Sequence, residues 1–260
     1  MGIRYKKYFS SQALDEGFEP SYPINDDIFY RTDDWTKYKS FKGHTSGNIS
    51  ESQKIRSLRH AKVISNLMSE SESVLSLGSG TGILEYELNE LCKNVNIVMS
   101  DIYDPEMDNK LPCLSLDMTN SNDLKKVFLE NKYDTVLISN ALSPLKPEEL
   151  KALITTISQS SVKKIIIYSA EDLRLFNYIK SLVRHFSVKK KGLWLGYLYN
   201  SGFINKTLSD NGFSRTLFAQ PIEHGILTPI WGSIYLSLHA REANIHINYR
   251  DKINCQDLMM

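Results

Sequence analysis

Four short runs of apolar, largely β-branched residues constrain the fold of this chain most strongly. They are VLSL (74–77), NIVMS (96–100), TVLIS (135–139) and KIIIYS (164–169), and residues with helical spacing separate them. Such runs are typical of strands buried on both faces, and helices between strands are the usual crossovers of a parallel sheet. The alternation therefore predicts an α/β fold with a mostly parallel sheet covered by helices on both faces.

The end of the chain departs from this alternation. Residues 203–211 have helical spacing, whereas FSRTLFAQ (213–220) and WGSIYLSLHA (231–240) have the composition of strands. No helical pattern separates these two strands. We therefore expect a hairpin whose last strand is antiparallel and lies at or near an edge of the sheet.

The 260 residues fit one large domain, or one domain with a small appendage. Residues 1–49 are rich in aromatic and turn residues without a sustained period, so we expect an irregular extension with at most short helices, acting as a lid or substrate-binding segment. A helix begins after the capping-box pattern of Ser50 and Gln53. The predicted domain covers residues 50–245, and residues 246–260 form a tail.

The composition of the chain limits the kinds of partner and the cellular compartment that we expect for it. The net charge of +1 gives no long-range attraction to nucleic acid or anionic lipid. Three widely spaced cysteines fit neither a disulfide framework nor a zinc site and indicate free thiols in a reducing cytoplasm. No apolar segment follows the basic start, and the late apolar stretch 225–238 is short and interrupted by Pro229. We expect a soluble cytoplasmic protein with no membrane partner, and the charge balance disfavours a nucleic-acid partner; nothing in the sequence indicates its oligomeric state.

Three glycines at alternate positions follow the first apolar run. Gly78, Gly80 and Gly82 with Ser79 make the turn GSGTG, and Ile83 opens the next helix. A dinucleotide site requires G-x-G-x-x-G and a phosphate-binding P-loop requires G-x-x-x-x-G-K-[ST], and neither pattern is present. The turn lies where ligands bind open α/β sheets, so it predicts close approach of backbone to a ligand.

Polar residues at the ends of the next strands indicate what that ligand is. Asp101 closes the second run, where a carboxylate can accept hydrogen bonds from ribose hydroxyls. Asp117 can accept from the exocyclic amine of adenine while Met118 packs on the ring, and Asn140 ends the fourth strand. Together they predict a pocket for an adenosine-containing ligand without a diphosphate.

In these residues the sequence resembles the class I S-adenosylmethionine-dependent methyltransferases. VLSLGSGTG (74–82) is similar to their first motif, SDI (100–102) to the ribose acid, LDM (116–118) to the adenine site and YDTVLISNAL (133–142) to the fourth strand. The resemblance implies a Rossmann-like, seven-stranded, mostly parallel sheet with an antiparallel terminal strand. It also implies S-adenosylmethionine as cofactor. The implied cofactor-binding residues are Gly78, Ser79, Gly80, Gly82, Asp101, Ile102, Asp117, Met118 and Asn140.

The chain departs from this family at one position. Many members carry an acid two residues before the first glycine, where this chain has Ser76. The departure implies either looser contacts to the methionine end of the cofactor or another residue that supplies them.

For the methyl acceptor we expect an O or N atom of a small molecule, methylated without a metal. The segment SNALSP (139–144) lacks the [DN]-P-P-[YF] motif of amino methyltransferases and has no acid beside Asn140 to bind a metal. It also lacks the cysteine of RNA cytosine-C5 enzymes. An RNA or protein methyltransferase and a non-catalytic S-adenosylmethionine-binding partner protein are the alternatives. The glycine spacing disfavours a nicotinamide-dependent oxidoreductase.

Candidate general bases are defined by position alone. Glu171 follows the fifth strand, His224 lies between the last two strands, and His44 lies in the N-terminal segment. The competing interpretation is structural: a glutamate at a helix N-terminus stabilised by the helix dipole, and two solvated loop histidines.

Overall fold

The computed structural model describes residues 21–23, 51–68, 72–102, 111–142, 144–169, 197–199, 201–219 and 235–241. Within these residues the predicted alternation of strands and helices is present. The strands are β1 (Ser21–Pro23), β2 (Ser73–Leu77), β3 (Asn96–Asp101), β4 (Cys113–Ser115), β5 (Thr135–Ser139), β6 (Lys164–Ser169), β7 (Tyr197–Tyr199), β8 (Ser214–Ala219) and β9 (Tyr235–Ala240). The helices are α1 (Glu51–Ser65), α2 (Ile83–Leu91), α3 (Ser121–Glu130), α4 (Pro147–Ser158) and α5 (Ser201–Asp210).

Seven of the strands form one sheet in the order β4-β3-β2-β5-β6-β9-β8. β9 runs antiparallel to both of its neighbours, β6 and β8, and the other six strands share one direction. This confirms the Rossmann-like, mostly parallel sheet. The chain proceeds from β2 outward through β3 to β4, then returns to place β5 on the other side of β2. Such a reversal of strand order opens a crevice at the carboxyl ends of the strands, which is where ligands bind in this kind of sheet.

Two apolar layers cover the sheet because alternate residues of each buried strand point to opposite faces. One layer joins Leu75 and Leu77 of β2 to side chains of α3, α4 and α5. The other joins Val74 of β2 to α1 and α2, including Ile64 and Leu88. Ser76 alternates with Leu75 and Leu77, so its side chain lies on the face that α1 and α2 cover.

The predicted hairpin is present, with β8 and β9 paired antiparallel and a register shift between Arg215 and Leu217. The antiparallel strand β9 lies one place in from the edge and carries β8 on its outer side.

The expectation of irregular structure through residues 1–49 is wrong at one place, because β1 pairs antiparallel with β7 in a separate two-stranded sheet. A three-residue strand containing a proline has no period to recognise, and its partner lies far along the sequence. The predicted boundaries at residues 49/50 and 245/246 stay predictions.

Among the helices of the described residues, none has both the length and the apolar character that crossing a membrane requires.

Candidate functional site

The loop between β2 and α2 holds its three glycines in the left-handed region of backbone conformation. The φ angles are 67° at Gly78, 60° at Gly80 and 73° at Gly82, which is the N-cap of α2. An L residue with a side chain adopts this region at a cost of roughly 1–2 kcal/mol. The glycine spacing therefore follows from a tight turn that brings the chain from the end of β2 into the helix.

Gly78 lies in close contact with two later segments of the chain. A Cβ atom added to it would lie 2.6 Å from the Cβ of Ala141 and 2.8 Å from the Cε of Met118. A Cβ atom at Gly80 would meet nothing within 4 Å. Gly78 thus lets the segments after β4 and β5 approach the loop, whereas Gly80 borders open space.

Three backbone amides of the glycine loop donate to acceptors within the protein. The N–H of Ser79 donates to the carbonyl of Ser100 at 3.0 Å, and the N–H of Gly80 donates to Asp101 Oδ2 at 2.7 Å. The N–H of Gly82 donates to the carbonyl of Ser79 at 3.0 Å. An anion-binding loop presents its amides to the ligand. These three amides are already engaged, one of them by a carboxylate.

A buried carboxylate lies beneath the loop. Glu85, in the first turn of α2, is fully buried, and the hydroxyl of Ser76 donates to its Oε1 at 2.6 Å. Its Oε2 is buried and has no hydrogen-bond partner. Burial raises the pKa of Glu85 from 4.5 to about 7, the negative charge of Asp101 contributes to the rise, and the Ser76 hydrogen bond partly opposes it.

The predicted ribose and adenine residues lie at the same edge of the sheet. Asp101 ends β3, is largely buried and contacts the glycine loop, whereas Ile102 is exposed. Asp117 Oδ1 accepts from both the backbone N–H and the hydroxyl of Thr119, at 2.8 and 2.7 Å, so this oxygen stabilises the turn before α3. Met118 packs against the core and faces Gly78.

Asn140 follows β5 and has a φ of 53°. Its backbone N–H donates to the carbonyl of Tyr168 on β6 at 2.9 Å, which fixes the turn. Of the five residues with positive φ in the described part of the chain, four lie at this edge of the sheet: Gly78, Gly80, Gly82 and Asn140. Asn140 is the one non-glycine residue among them, and non-glycine residues held in this region concentrate at functional sites.

The structure thus brings together the predicted cofactor-binding residues of the glycine loop, β3, and the segments after β4 and β5. The three predicted bases His44, Glu171 and His224 lie outside the described residues, so they stay predictions. In the described ranges, no group of three His, Cys, Asp or Glu side chains is arranged to hold a metal ion.

Glu85 is the residue that the sequence interpretation missed. An acid in the first turn of a helix is ordinarily a solvated residue favoured by the helix dipole. The available signal was its place on the apolar face of α2, three residues before the buried Leu88. Many methyltransferases of this kind have an acid where this chain has Ser76. A glutamate on the buried face of the helix that follows indicates that α2, and not β2, supplies the carboxylate here.

Comparisons with known proteins identify the fold. No protein-family model matches the chain, and no curated protein sequence matches it. Solved structures do. Magnesium protoporphyrin IX methyltransferase from Synechocystis PCC 6803, crystallised with bound S-adenosylhomocysteine, is 19% identical with a TM-score of 0.53, covering 80% of this chain and 95% of that one.

Two further structures are similar. An O-methyltransferase family protein from Burkholderia thailandensis is 12% identical with a TM-score of 0.54, covering 94% of this chain and 70% of that one. Human N-acetylserotonin methyltransferase in complex with S-adenosylmethionine is 13% identical with a TM-score of 0.51, covering 82% of this chain and 60% of that one. At these identities the likeness establishes the fold: this chain has the Rossmann-like fold of the S-adenosylmethionine-dependent methyltransferases.

Gly78 and Gly80 provide a matched test of the loop packing. Gly80→Ala introduces only left-handed backbone strain, and we expect it to lower the free energy of unfolding by roughly 1–2 kcal/mol. Gly78→Ala adds a clash with Ala141, and we expect a further loss of about 1–3 kcal/mol. Urea denaturation of both variants measures the difference. Equal losses would contradict the close packing at Gly78.

The buried Glu85 carboxylate predicts an unusual pH dependence of stability. Because its pKa is raised from 4.5 to about 7, the folded state binds this proton more tightly than the unfolded state, so stability falls as pH rises through that window. Glu85→Gln removes this dependence. We expect the variant to gain on the order of 3 kcal/mol relative to the wild type between pH 4.5 and pH 8.

Urea denaturation at several pH values measures this gain. Glu90→Gln, at an exposed position of the same helix, is the control and should show no pH-dependent gain. A Glu85→Gln variant whose stability tracks the wild type at every pH would contradict the raised pKa.

Proposed function

We propose that this protein is a class I methyltransferase that transfers a methyl group from S-adenosylmethionine to an O or N atom of a small molecule, without a metal. The observation that carries the proposal is the glycine loop, whose amide at Gly80 is occupied by the carboxylate of Asp101. A diphosphate at this loop would meet a carboxylate and engaged amides. The amino-acid arm of S-adenosylmethionine carries a sulfonium, an ammonium and one carboxylate, so its net positive charge is attracted to the Asp101 carboxylate.

Features of the described residues fit this cofactor. Gly80 borders open space at the carboxyl end of β2, so backbone can lie against a ligand there. Asp101 provides acceptors for ribose hydroxyls, and hydrogen bonds to a charged acceptor contribute about 1.5–3 kcal/mol each. Met118 provides an apolar surface for adenine, and Asn140 is held in a fixed turn beside it. When bound, S-adenosylmethionine supplies a methyl group already activated on a sulfonium.

The protein's part in the chemistry is then chiefly alignment of the acceptor with that methyl group. Alignment alone can supply on the order of 7–11 kcal/mol of barrier reduction. His44, Glu171 and His224 are proposed as general bases where the acceptor must lose a proton, which adds about 10²–10⁴-fold. Metal independence is proposed because no acid neighbours Asn140 in SNALSP (139–144).

The small-molecule acceptor is supported by the names of similar proteins. The structures from Synechocystis and human are named for methylation of magnesium protoporphyrin IX and N-acetylserotonin. The near-neutral net charge of this chain also favours an acceptor without a phosphate backbone.

Calorimetric titration with S-adenosylmethionine, S-adenosylhomocysteine and NAD tests the cofactor assignment. We expect saturable binding of the first two and none of NAD. Asp101→Ala should weaken S-adenosylhomocysteine binding at least about tenfold, because the ribose loses a charged acceptor. Asp210→Ala, at an exposed position at the end of α5, is the matched control and should bind like the wild type.

Binding of NAD alone would overturn the proposal. Wild-type affinity in a correctly folded Asp101→Ala variant would overturn the ribose assignment. Circular dichroism of both variants checks that the sheet is intact.

A further inference from the structure

The Glu85 carboxylate is an unpaired buried acid next to the candidate cofactor site. Its Oε1 accepts from the Ser76 hydroxyl, and its Oε2 is buried without a partner. Leaving a buried acceptor unsatisfied costs about 1–3 kcal/mol, and more for a charged group. The unsatisfied Oε2 therefore lowers the stability of the protein when no ligand is bound.

Glu72 shows how this chain satisfies a largely buried acid elsewhere. Its Oε1 forms an ion pair with Lys164, and its Oε2 accepts from the hydroxyl of Thr135 at 3.1 Å. Both oxygens of Glu72 thus have partners. None of the ion pairs within the described residues involves Glu85, and the charge that acts on it is the negative one of Asp101.

When Glu85 is ionised, the group that best satisfies Oε2 brings both positive charge and hydrogen atoms to donate. A divalent cation would lack ligands here, because the site offers no cluster of three acidic, histidine or cysteine side chains among the described residues. The sulfonium of S-adenosylmethionine is positive but has no N–H or O–H. Its α-ammonium group has both the charge and three N–H donors.

We propose that Glu85, oriented by the Ser76 hydroxyl, binds the α-ammonium group of the amino-acid arm of the cofactor. This inference rests on the proposed function. This accounts for Ser76 at the position where many family members carry an acid. The strand supplies a hydroxyl at that position, and Glu85 of the helix supplies the carboxylate. Ser76 is a positioning residue, because it acts through Glu85.

The test compares S-adenosylhomocysteine with its deaminated analogue, 4-(adenosylthio)butanoic acid, which lacks only the amino group. Wild-type protein should bind S-adenosylhomocysteine at least about tenfold more tightly than the analogue, since a charge-assisted hydrogen bond is lost. Glu85→Gln should reduce that ratio to below about threefold, mainly through weaker binding of S-adenosylhomocysteine. Glu90→Gln should leave the ratio unchanged.

The outcomes separate this inference from the proposed function. If the wild type binds S-adenosylhomocysteine but prefers it to the analogue by less than threefold, or if Glu85→Gln keeps the wild-type ratio, the assignment of Glu85 is wrong and the methyltransferase proposal stands. If the wild type binds neither ligand, the proposed function itself fails.

Ser76→Ala supplies a second variant should Glu85→Gln fold poorly. Loss of the orienting hydroxyl should lower the ratio of the two affinities at least about threefold. It should leave the affinity for the deaminated analogue unchanged, since that ligand has no group for Glu85 to bind. A ratio equal to that of the wild type in a folded Ser76→Ala variant would overturn the positioning role.

Discussion

The hydrogen bond from the Gly80 amide to the Asp101 carboxylate is the interaction on which the candidate site depends. It joins the loop after β2 to the end of β3, with 2.7 Å between the Gly80 nitrogen and Asp101 Oδ2. A second hydrogen bond, from the Ser79 amide to the carbonyl of Ser100, joins the same two segments. The two strands pair in parallel with Leu77 opposite Ser100, so their carboxyl ends lie side by side. A ligand at the loop therefore meets a carboxylate held in place by backbone.

This constraint determines the electrostatics of the crevice. Asp101 and Glu85 place two acids around a loop that in other α/β proteins receives phosphate. Burial is the main cause of the raised pKa of Glu85, and repulsion from Asp101 adds to it. The Ser76 hydroxyl and a backbone hydrogen bond at Glu85 oppose the rise only in part. A fold selected for stability alone would place an apolar residue at position 85, on the buried face of α2. Keeping an acid there gives up stability in the free protein, a cost that the proposed contact with an ammonium group would offset.

Local sequence patterns predict the central sheet because a strand buried on both faces requires a continuous run of apolar residues. The runs TVLIS and KIIIYS become β5 and β6 with the predicted bounds. The burial of Glu85 could not be predicted in this way, because it follows from how α2 packs on β2. The sequence also does not predict that one carboxylate oxygen of Asp117 accepts from Thr119; the contact of Asp117 with adenine stays a prediction. The pairing of β1 with β7 joins distant segments that carry no periodic signal.

The placement of β9 between β6 and β8 has a consequence for biosynthesis. β8 is hydrogen-bonded in the sheet to β9 alone, although β9 is made after it. Until residue 240 has left the ribosome, the apolar strand KIIIYS has a bare edge and β8 has nowhere to dock. Unpaired apolar edges recruit other chains. A nascent chain that stalls before residue 235 therefore lacks the pairing partner of two strands, β6 on one side and β8 on the other.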